Sequence, residues 1–183
     1  MAKCYQLRIE LQEIEPKVWR SLRLPGSLTL ARLHKVLQIV MGWTDTHLHE
    51  FKIGATHYGT PDPDFETTPT VRETRVLLAD VLTPSVRRFL YSYDFGDGWQ
   101  HSVHVEHTAE LQSDEPPILC LSGANACPPE DVGGPYGYAE FRAIIANPEH
   151  PEHHDTLTWC GGAFDPTGFD LQAVNKRLRR LKA

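Results

Sequence analysis

The sequence predicts an α+β fold, in which an antiparallel or mixed sheet carries segregated helices that are mostly C-terminal. Alternation of apolar and polar residues, the period-two pattern of half-buried strands, recurs through roughly the first 110 residues. Helical spacing of apolar residues takes over from about residue 135. The predicted order is ββαβ, a loop, a hairpin and then helices, which is typical of α+β proteins and gives a β-grasp-like start.

A hairpin and a helix open the chain. Residues 5–11 and 18–24 both alternate between apolar and polar side chains, which predicts two paired strands. Leucines and a valine then recur at helical spacing over residues 30–40. Thr29 is suited to cap this helix and Gly42 to end it.

The next segments predict a strand, a loop and a second hairpin. Residues 47–53 alternate, and this places His47 and His49 on the same face as the apolar residues that follow. Residues 54–70 are rich in proline, glycine and polar residues and predict a surface loop. Residues 74–83 fit either a short strand or one helical turn. Two alternating runs around the glycine-rich FGDGW predict the second hairpin, over residues 89–107.

The remainder predicts an irregular segment followed by helices. Residues 112–135 contain two Pro-Pro pairs and a Gly-Gly pair, which indicates irregular structure. Helices are predicted from Pro135 to before Pro148, from Pro151 onward, and after the capping residue Asp170. We expect residues 1–183 to form a single domain, with a β-rich part over about 1–110 and a helical part over about 135–183.

Composition excludes several classes of protein. The formal net charge of −6 argues against a uniformly basic nucleic-acid binder, although a basic run at the C-terminus could contact an acidic partner or nucleic acid. No apolar run approaches the ~18 residues of a membrane span, and the N-terminus lacks a signal-peptide pattern. We therefore expect no membrane partner and a cytoplasmic location. Four scattered cysteines favour reduced thiols over a disulfide framework.

Two groups of polar residues are candidate metal ligands in the β-rich part. His47 and His49 project to one face of a strand, where two imidazoles can converge on one ion. The alternative is that they lie where an apolar face meets solvent. Asp94 and Asp97 flank a glycine turn, and Trp99 and His101 share a face of the outgoing strand. The alternative here is ordinary hairpin chemistry, in which aspartates bond the turn backbone.

The third group lies in CLSGANACPPEDVGG. Cys120 and Cys127, followed by Glu130 and Asp131, could bind zinc if a histidine approached them. Cysteine-dependent catalysis would instead need a thiol beside a histidine. The alternative to both is that the thiols are small buried apolar groups. A histidine cluster at residues 150–154 is most simply explained as a solvated helix start.

The motifs together resemble a known family. YQLRIELQEIEPKVWR, HLHEFKIG, YDFGDGWQH, CPPEDVGG and FDPTGFDLQAVNKRL, in this order, are similar to those of the plasmid pRiA4b ORF-3-like family, over residues 5 to about 178. The resemblance implies an uncharacterised protein, and some members carry a resolvase-type mobile-element label. Similar members often have a further cysteine where Val132 stands here, which leaves histidines and carboxylates to complete any metal site.

These observations give one candidate site and three functional hypotheses. If the strands of His49 and His101 run the same way and lie close together, both imidazoles flank the DFGDG turn, with the acidic and cysteine ligands around it. The first hypothesis is a cytoplasmic binding or interaction domain, associated with mobile elements and with a protein partner. The second is a metal-dependent hydrolase that uses a divalent ion such as zinc. The third is a DNA-associated accessory protein that uses the basic C-terminal helix.

Overall fold

The computed structural model describes residues 3–61, 69–110 and 117–181 and confirms the α+β class. Its centre is a mixed sheet of eight strands in the order β5-β4-β3-β6-β7-β1-β2-β8. All neighbouring strands are antiparallel except β4 and β5, which are parallel. The strands are β1 Lys3–Leu11, β2 Trp19–Pro25, β3 His49–Ile53, β4 Thr56–Gly59, β5 Thr70–Arg72, β6 Arg88–Tyr93, β7 Trp99–Glu110 and β8 Leu119–Ala124.

The helices begin and end at residues suited to those positions. Thr29 caps α1 by accepting a hydrogen bond from the Arg32 amide, and Gly42 ends it in the left-handed conformation, with φ 94°. Asp170 caps α5 in the same way as Thr29 caps α1. The helices are α1 Leu30–Met41, α2 Leu78–Val81, α3 Gly134–Ile145, α4 His153–Trp159 and α5 Leu171–Leu178.

Both predicted hairpins are present, and β1 brings them together. It pairs with β2 on one side and with β7 of the second hairpin on the other. Leucines of α1 then cover one face of the sheet and are fully buried, as are Leu7 and Ile9 of β1. Burial of these apolar side chains is the main stabilising contribution to the fold.

Two segments predicted to be irregular contain strands. Residues 54–70 were expected to be a loop, but Thr56–Gly59 pairs with β3 after a tight turn at Gly54. Leu119–Ala124 likewise pairs with β2 at the sheet edge. Both strands are short and depend on a partner rather than on their own pattern, so local sequence did not reveal them. Residues 62–68 and 111–116 of the predicted loops lie outside the described residues.

Other boundaries differ slightly from the predictions. Residues 74–83, for which either a short strand or one helical turn is predicted, contain one helical turn, α2. A 3-10 turn at Glu73–Arg75 and an isolated bridge at Leu77 precede it. His47 lies just before β3, which begins at His49. Among the described residues, no helix is both long and apolar enough to cross a membrane.

Candidate functional site

Three loop segments meet at one end of the sheet, and we call the surface they form the rim. They are residues 43–47 after α1, the turn 94–98 between β6 and β7, and residues 127–134 before α3. The Trp43 indole donates a hydrogen bond to the Pro128 carbonyl at 3.0 Å, which joins the first segment to the third. The rim therefore comprises residues that are far apart in the chain.

The turn between β6 and β7 orients one carboxylate toward the rim. Asp94 has φ 54°, a left-handed conformation that aspartate adopts more readily than most residues. Its Oδ1 accepts hydrogen bonds from the amides of Gly96 and Asp97, at 3.0 and 3.3 Å. Because Oδ1 is held by the turn, Oδ2 is the oxygen that faces His47, with its nearest nitrogen 3.6 Å away.

Two other acidic residues attach residues 127–134 to the rest of the rim. Asp97 accepts a hydrogen bond from the Gly133 amide at 3.1 Å. Glu130 accepts bonds from the Thr44 amide and hydroxyl and from the Tyr93 hydroxyl. Partial burial tends to raise the pKa of Glu130, but these bonds outweigh it, so that pKa is lowered and the group is a carboxylate.

His47, Asp94 and Asp131 form the cluster at the centre of the rim. His47 Nε2 lies 3.1 Å from Asp131 Oδ1 and 3.6 Å from Asp94 Oδ2. That nitrogen is buried and makes no hydrogen bond within the described part of the chain, although both carboxylates face it. The side chain of Asp94 is 10% exposed and that of Asp131 is 70% exposed, so the cluster has a buried side and an open side.

The cluster fits a divalent cation by both spacing and ligand type. One atom from each residue can be chosen so that all three lie within 4.8 Å of one another. Ligands at about 2.1 Å from an ion are separated by about 3 Å in octahedral and 3.4 Å in tetrahedral geometry. The two distances from His47 Nε2 lie close to these values. Among the described parts of the chain, this is the one group of three or more such ligands.

A second polar group, which we call the buried polar layer, lies between α1 and the sheet. Its centre is a stacked pair of imidazoles from His34 and His49, with ring centroids 3.5 Å apart. His49 Nε2 is 3.0 Å from a carboxylate oxygen of the buried Glu73. His49 is therefore engaged within this layer, whereas His47 faces the rim.

The partners of His34 define its tautomer. Asp45 lies against Nε2, and the Tyr91 hydroxyl is 2.8 Å from Nδ1. Burial and the adjacent His49 lower the pKa of His34 to about 4, despite the opposing effect of Asp45. At neutral pH, His34 therefore donates from Nε2 to Asp45 and accepts the Tyr91 hydroxyl at Nδ1. Gln38 completes the layer by donating to the same hydroxyl at 3.1 Å.

His101 and Trp99 lie in the core beneath the rim. His101 is fully buried, and its Nδ1 is 3.2 Å from the Tyr91 carbonyl oxygen, so Nδ1 carries the proton. Burial lowers the pKa of His101 to about 3, and its Nε2 has no hydrogen-bond partner among the residues that the structure describes. Trp99 is 1% exposed and packs near Trp43, with ring centroids 6.0 Å apart. Neither residue belongs to the three-ligand cluster.

The predicted cysteine ligands are grouped with an arginine rather than with the cluster. Cys120 and Cys127 are both buried, and burial raises the pKa of the Cys120 thiol to about 11 and that of the Cys127 thiol further. The nearby guanidinium of Arg20 opposes both shifts without reversing them. Cys120 is held by Asn175, whose side chain bonds both the backbone amide and the carbonyl of Cys120. These thiols pack as neutral groups.

Two weaker candidates from the sequence lie away from the rim. The histidine-rich segment forms the start of α4, where His154 is exposed. The basic residues of the C-terminal helix lie in its last turn and beyond. Lys176, Arg177, Arg179 and Arg180 are all exposed, and Lys182 is outside the described residues.

Several residues of the two polar groups were not identified from the sequence. Asp45 and Glu73 stand in segments without a distinctive pattern, and the alternation that predicts the strand of Tyr93 does not indicate its hydrogen bond to Glu130. His34 was detectable, because it follows Leu30 by four residues and so falls on the apolar stripe of α1. A polar residue on such a stripe indicates a buried hydrogen-bonding partner.

Comparison with known proteins identifies relatives along nearly the whole chain. Residues 3–173 match the sequence model of the plasmid pRiA4b ORF-3-like protein family. The uncharacterised protein y4hQ of Sinorhizobium fredii (strain NBRC 101917 / NGR234) is 40% identical over 184 residues, which cover 100% of this chain and 94% of that protein. A crystal structure of the protein of unknown function MM3350 from Methanosarcina mazei Go1 is similar, with a TM-score of 0.85 and 36% identity, covering 94% of this chain and 97% of that one.

Proposed function

The chain belongs to the plasmid pRiA4b ORF-3-like protein family, and from this premise we propose that it is a divalent-metal-dependent hydrolase whose ion is held by His47, Asp94 and Asp131. One observation carries the proposal. A buried imidazole nitrogen that has no hydrogen-bond partner among the described residues faces two carboxylate oxygens at 3.1 and 3.6 Å. A buried polar atom that makes no hydrogen bond is costly, even beside a carboxylate, and a shared cation would satisfy all three groups at once.

The ligand types favour a first-row ion such as zinc. Imidazole suits Zn²⁺ and similar ions, whereas an ion such as Mg²⁺ prefers oxygen ligands alone. Three protein ligands with an open side are typical of catalytic zinc sites, since structural sites have four. When bound, such an ion lowers the pKa of its water to near 7 and supplies a hydroxide nucleophile.

The surrounding residues keep the three ligands in place. The Asp94 backbone is held by the turn, and its Oδ1 is occupied by two amides, which leaves Oδ2 for the ion. Asp131 follows Glu130, whose bonds to Thr44 and Tyr93 fix the loop. Residues that hold ligands in this way typically contribute 10–100-fold to metal affinity. The exposed side of Asp131 is where water and substrate would reach the ion.

A binding or interaction role is the second candidate, and two exposed apolar side chains favour it. Leu48 is 61% exposed and Phe95 is 60% exposed, and each is the chain neighbour of a proposed metal ligand. Large exposed apolar residues beside a polar site are typical of surfaces that contact a partner. In this case the ion would order the rim for binding, with no chemical step.

Metal titration tests the proposal directly. Protein treated with EDTA and dialysed is titrated with ZnCl₂ by isothermal titration calorimetry, and we expect one ion per chain. His47→Ala and Asp94→Asn each remove a ligand, so we expect the affinity to fall by more than about 100-fold. His107→Ala is the matched control, because His107 is an exposed histidine of β7 outside the rim.

Hydrolysis is tested with the same proteins. Zinc-loaded protein is assayed with p-nitrophenyl acetate, p-nitrophenyl phosphate and bis(p-nitrophenyl) phosphate. We expect turnover of at least one ester that His47→Ala abolishes and His107→Ala retains. Absence of stoichiometric zinc, or equal zinc binding by wild type and His47→Ala, would refute the metal site. Zinc binding without any hydrolysis would favour the interaction role.

A further inference from the structure

A groove between α3 and α4 opens beside the rim. Its volume is about 480 Å³, which lies within the 300–1,000 Å³ typical of ligand sites. Phe141, Ile144 and Trp159 provide apolar surface in it. Trp159 is 53% exposed, and its ring meets Phe141 edge to face, with centroids 6.0 Å apart. A large aromatic side chain is thus left accessible in a concave site.

The charged side chains of the groove are all negative. Glu140, Glu152 and Asp155 line it together with Asp131, and no lysine, arginine or histidine is among its lining residues. The side chains of Glu140, Glu152 and Asp155 are exposed and form no ion pair with any described residue. The groove therefore combines an apolar floor with an uncompensated negative charge.

We propose that this groove binds a peptide segment in which lysine or arginine side chains flank an apolar side chain. The apolar side chain would pack on Phe141 and Ile144, and the cations would pair with the carboxylates. A cation above the exposed Trp159 ring would gain further attraction from its π face. An acidic or purely apolar segment would leave the carboxylates repelled or unpaired, so charge complementarity selects a basic segment.

One residue connects the groove to the rim. Asp131 lines the groove and its Oδ1 also faces His47 Nε2 at 3.1 Å. A peptide in the groove would thus extend past the open side of the metal cluster. The groove as a binding surface stands without the metal, whereas its role as the recognition site for a basic peptide substrate rests on the proposed function.

The test measures peptide binding by metal-free protein in EDTA. A fluorescein-labelled peptide of alternating lysine and leucine is titrated by fluorescence anisotropy, beside a peptide of alternating glutamate and leucine. We expect binding of the first peptide only, weakened at least about tenfold between 0.05 and 0.5 M NaCl because salt screens exposed charges. Circular dichroism checks that every variant is folded.

Two variants and a charge-matched control assign the binding to the groove. Glu152→Gln combined with Asp155→Asn, and separately Trp159→Ala, should each weaken binding at least about tenfold. The control combines Glu13→Gln with Glu110→Gln, which removes the same charge from exposed positions elsewhere. Unchanged binding by either groove variant, an equal loss in the control, or no binding by wild type would overturn the inference.

The zinc titration distinguishes the two proposals. Zinc binding without peptide binding overturns the groove and leaves the metal site. Peptide binding without zinc binding leaves the groove as a docking surface and removes the hydrolase. If both are present, a His47→Ala protein that still binds the peptide but no longer cleaves a basic peptide supports the substrate role, and unchanged cleavage overturns it.

Discussion

Acid should destabilise this protein through His101. The side chain is fully buried, and its Nδ1 proton is directed at the Tyr91 carbonyl, while Nε2 has no hydrogen-bond partner in the described ranges of the chain. Protonation would place an unpaired charge in the core, and burial accordingly lowers the pKa of His101 to about 3 from its ordinary 6.5. The folded state keeps His101 neutral over a range in which the unfolded state takes up a proton.

The size and sign of the effect follow from linkage. Because the pKa of His101 is lower in the folded state, the unfolded state binds more protons between pH 6.5 and 3. The contribution of neutral His101 to the free energy of unfolding is therefore fully present above pH 6.5 and is lost as the pH falls through this range. Each pH unit below the unfolded pKa removes about 1.4 kcal/mol, which gives about 2 kcal/mol at pH 5. His34, whose pKa is lowered to about 4, adds a similar loss at pH 5. Together they amount to a large part of a typical stability of about 5–15 kcal/mol.

Urea denaturation from pH 7.5 to 5 measures this loss. His101→Phe removes the titrating group, so its free energy of unfolding should fall by about 2 kcal/mol less than that of wild type over this range. His107→Phe, on the exposed part of the same strand, should keep the wild-type slope. The comparison concerns the slope, so a uniform change in stability from the substitution does not affect it. An identical slope in wild type and His101→Phe would refute the reasoning.

Three further predictions concern packing and thiols. Gly134→Ala would place a Cβ against the carbonyl oxygen of Asp97 in the turn between β6 and β7, and should weaken zinc binding more than tenfold by calorimetry. Gly42→Ala is the control, because Gly42 also has positive φ but lies in open space, and it should leave zinc binding unchanged. The planar guanidinium of Arg20 bonds four carbonyl oxygens, and the single ammonium of Arg20→Lys cannot bond all of them. This variant should lower the free energy of unfolding in urea by about 3 kcal/mol, and a loss below about 1 kcal/mol would contradict this. With Ellman's reagent at pH 8, the partly exposed thiol of Cys160 should react rapidly, whereas the buried thiol of Cys127 should react only after denaturation. Rapid reaction of all four thiols in the folded protein would contradict the described packing.

The fold class could be predicted because its main elements carry strong local patterns. Period-two alternation predicted β1, β2, β6 and β7, and the cap Thr29 predicted the start of α1. The sheet order could not be predicted, because pairing of β1 with β7 depends on contacts across about a hundred residues. The strand β8 is missed for the same reason, since its partner is the distant β2, whereas β4 is missed because it is short and has no clear alternating pattern of its own. The division into one domain with β-rich and helical parts stays a prediction.

The candidate site could be predicted only as a set of residue types. Asp94 and Asp131 were chosen for their motifs, and His47 for its spacing from His49, but the sequence did not separate the two histidines. Their difference arises from tertiary packing, since His49 stacks on His34 whereas His47 lies two residues before the strand and faces the two aspartates of the rim. The sequence predicts His101 at the rim as a candidate ligand, whereas the structure buries it completely in the core.

The position of β1 between β2 and β7 has a consequence during synthesis on the ribosome. This strand leaves the exit tunnel before the other seven strands and can pair with β2 almost at once, yet its other neighbour, β7, ends at Glu110. Until then, one edge of the nascent hairpin has open amide and carbonyl groups, which can pair with another chain. Truncated products that end before β7 should therefore aggregate or be captured by chaperones, because they lack the strand that closes the middle of the sheet.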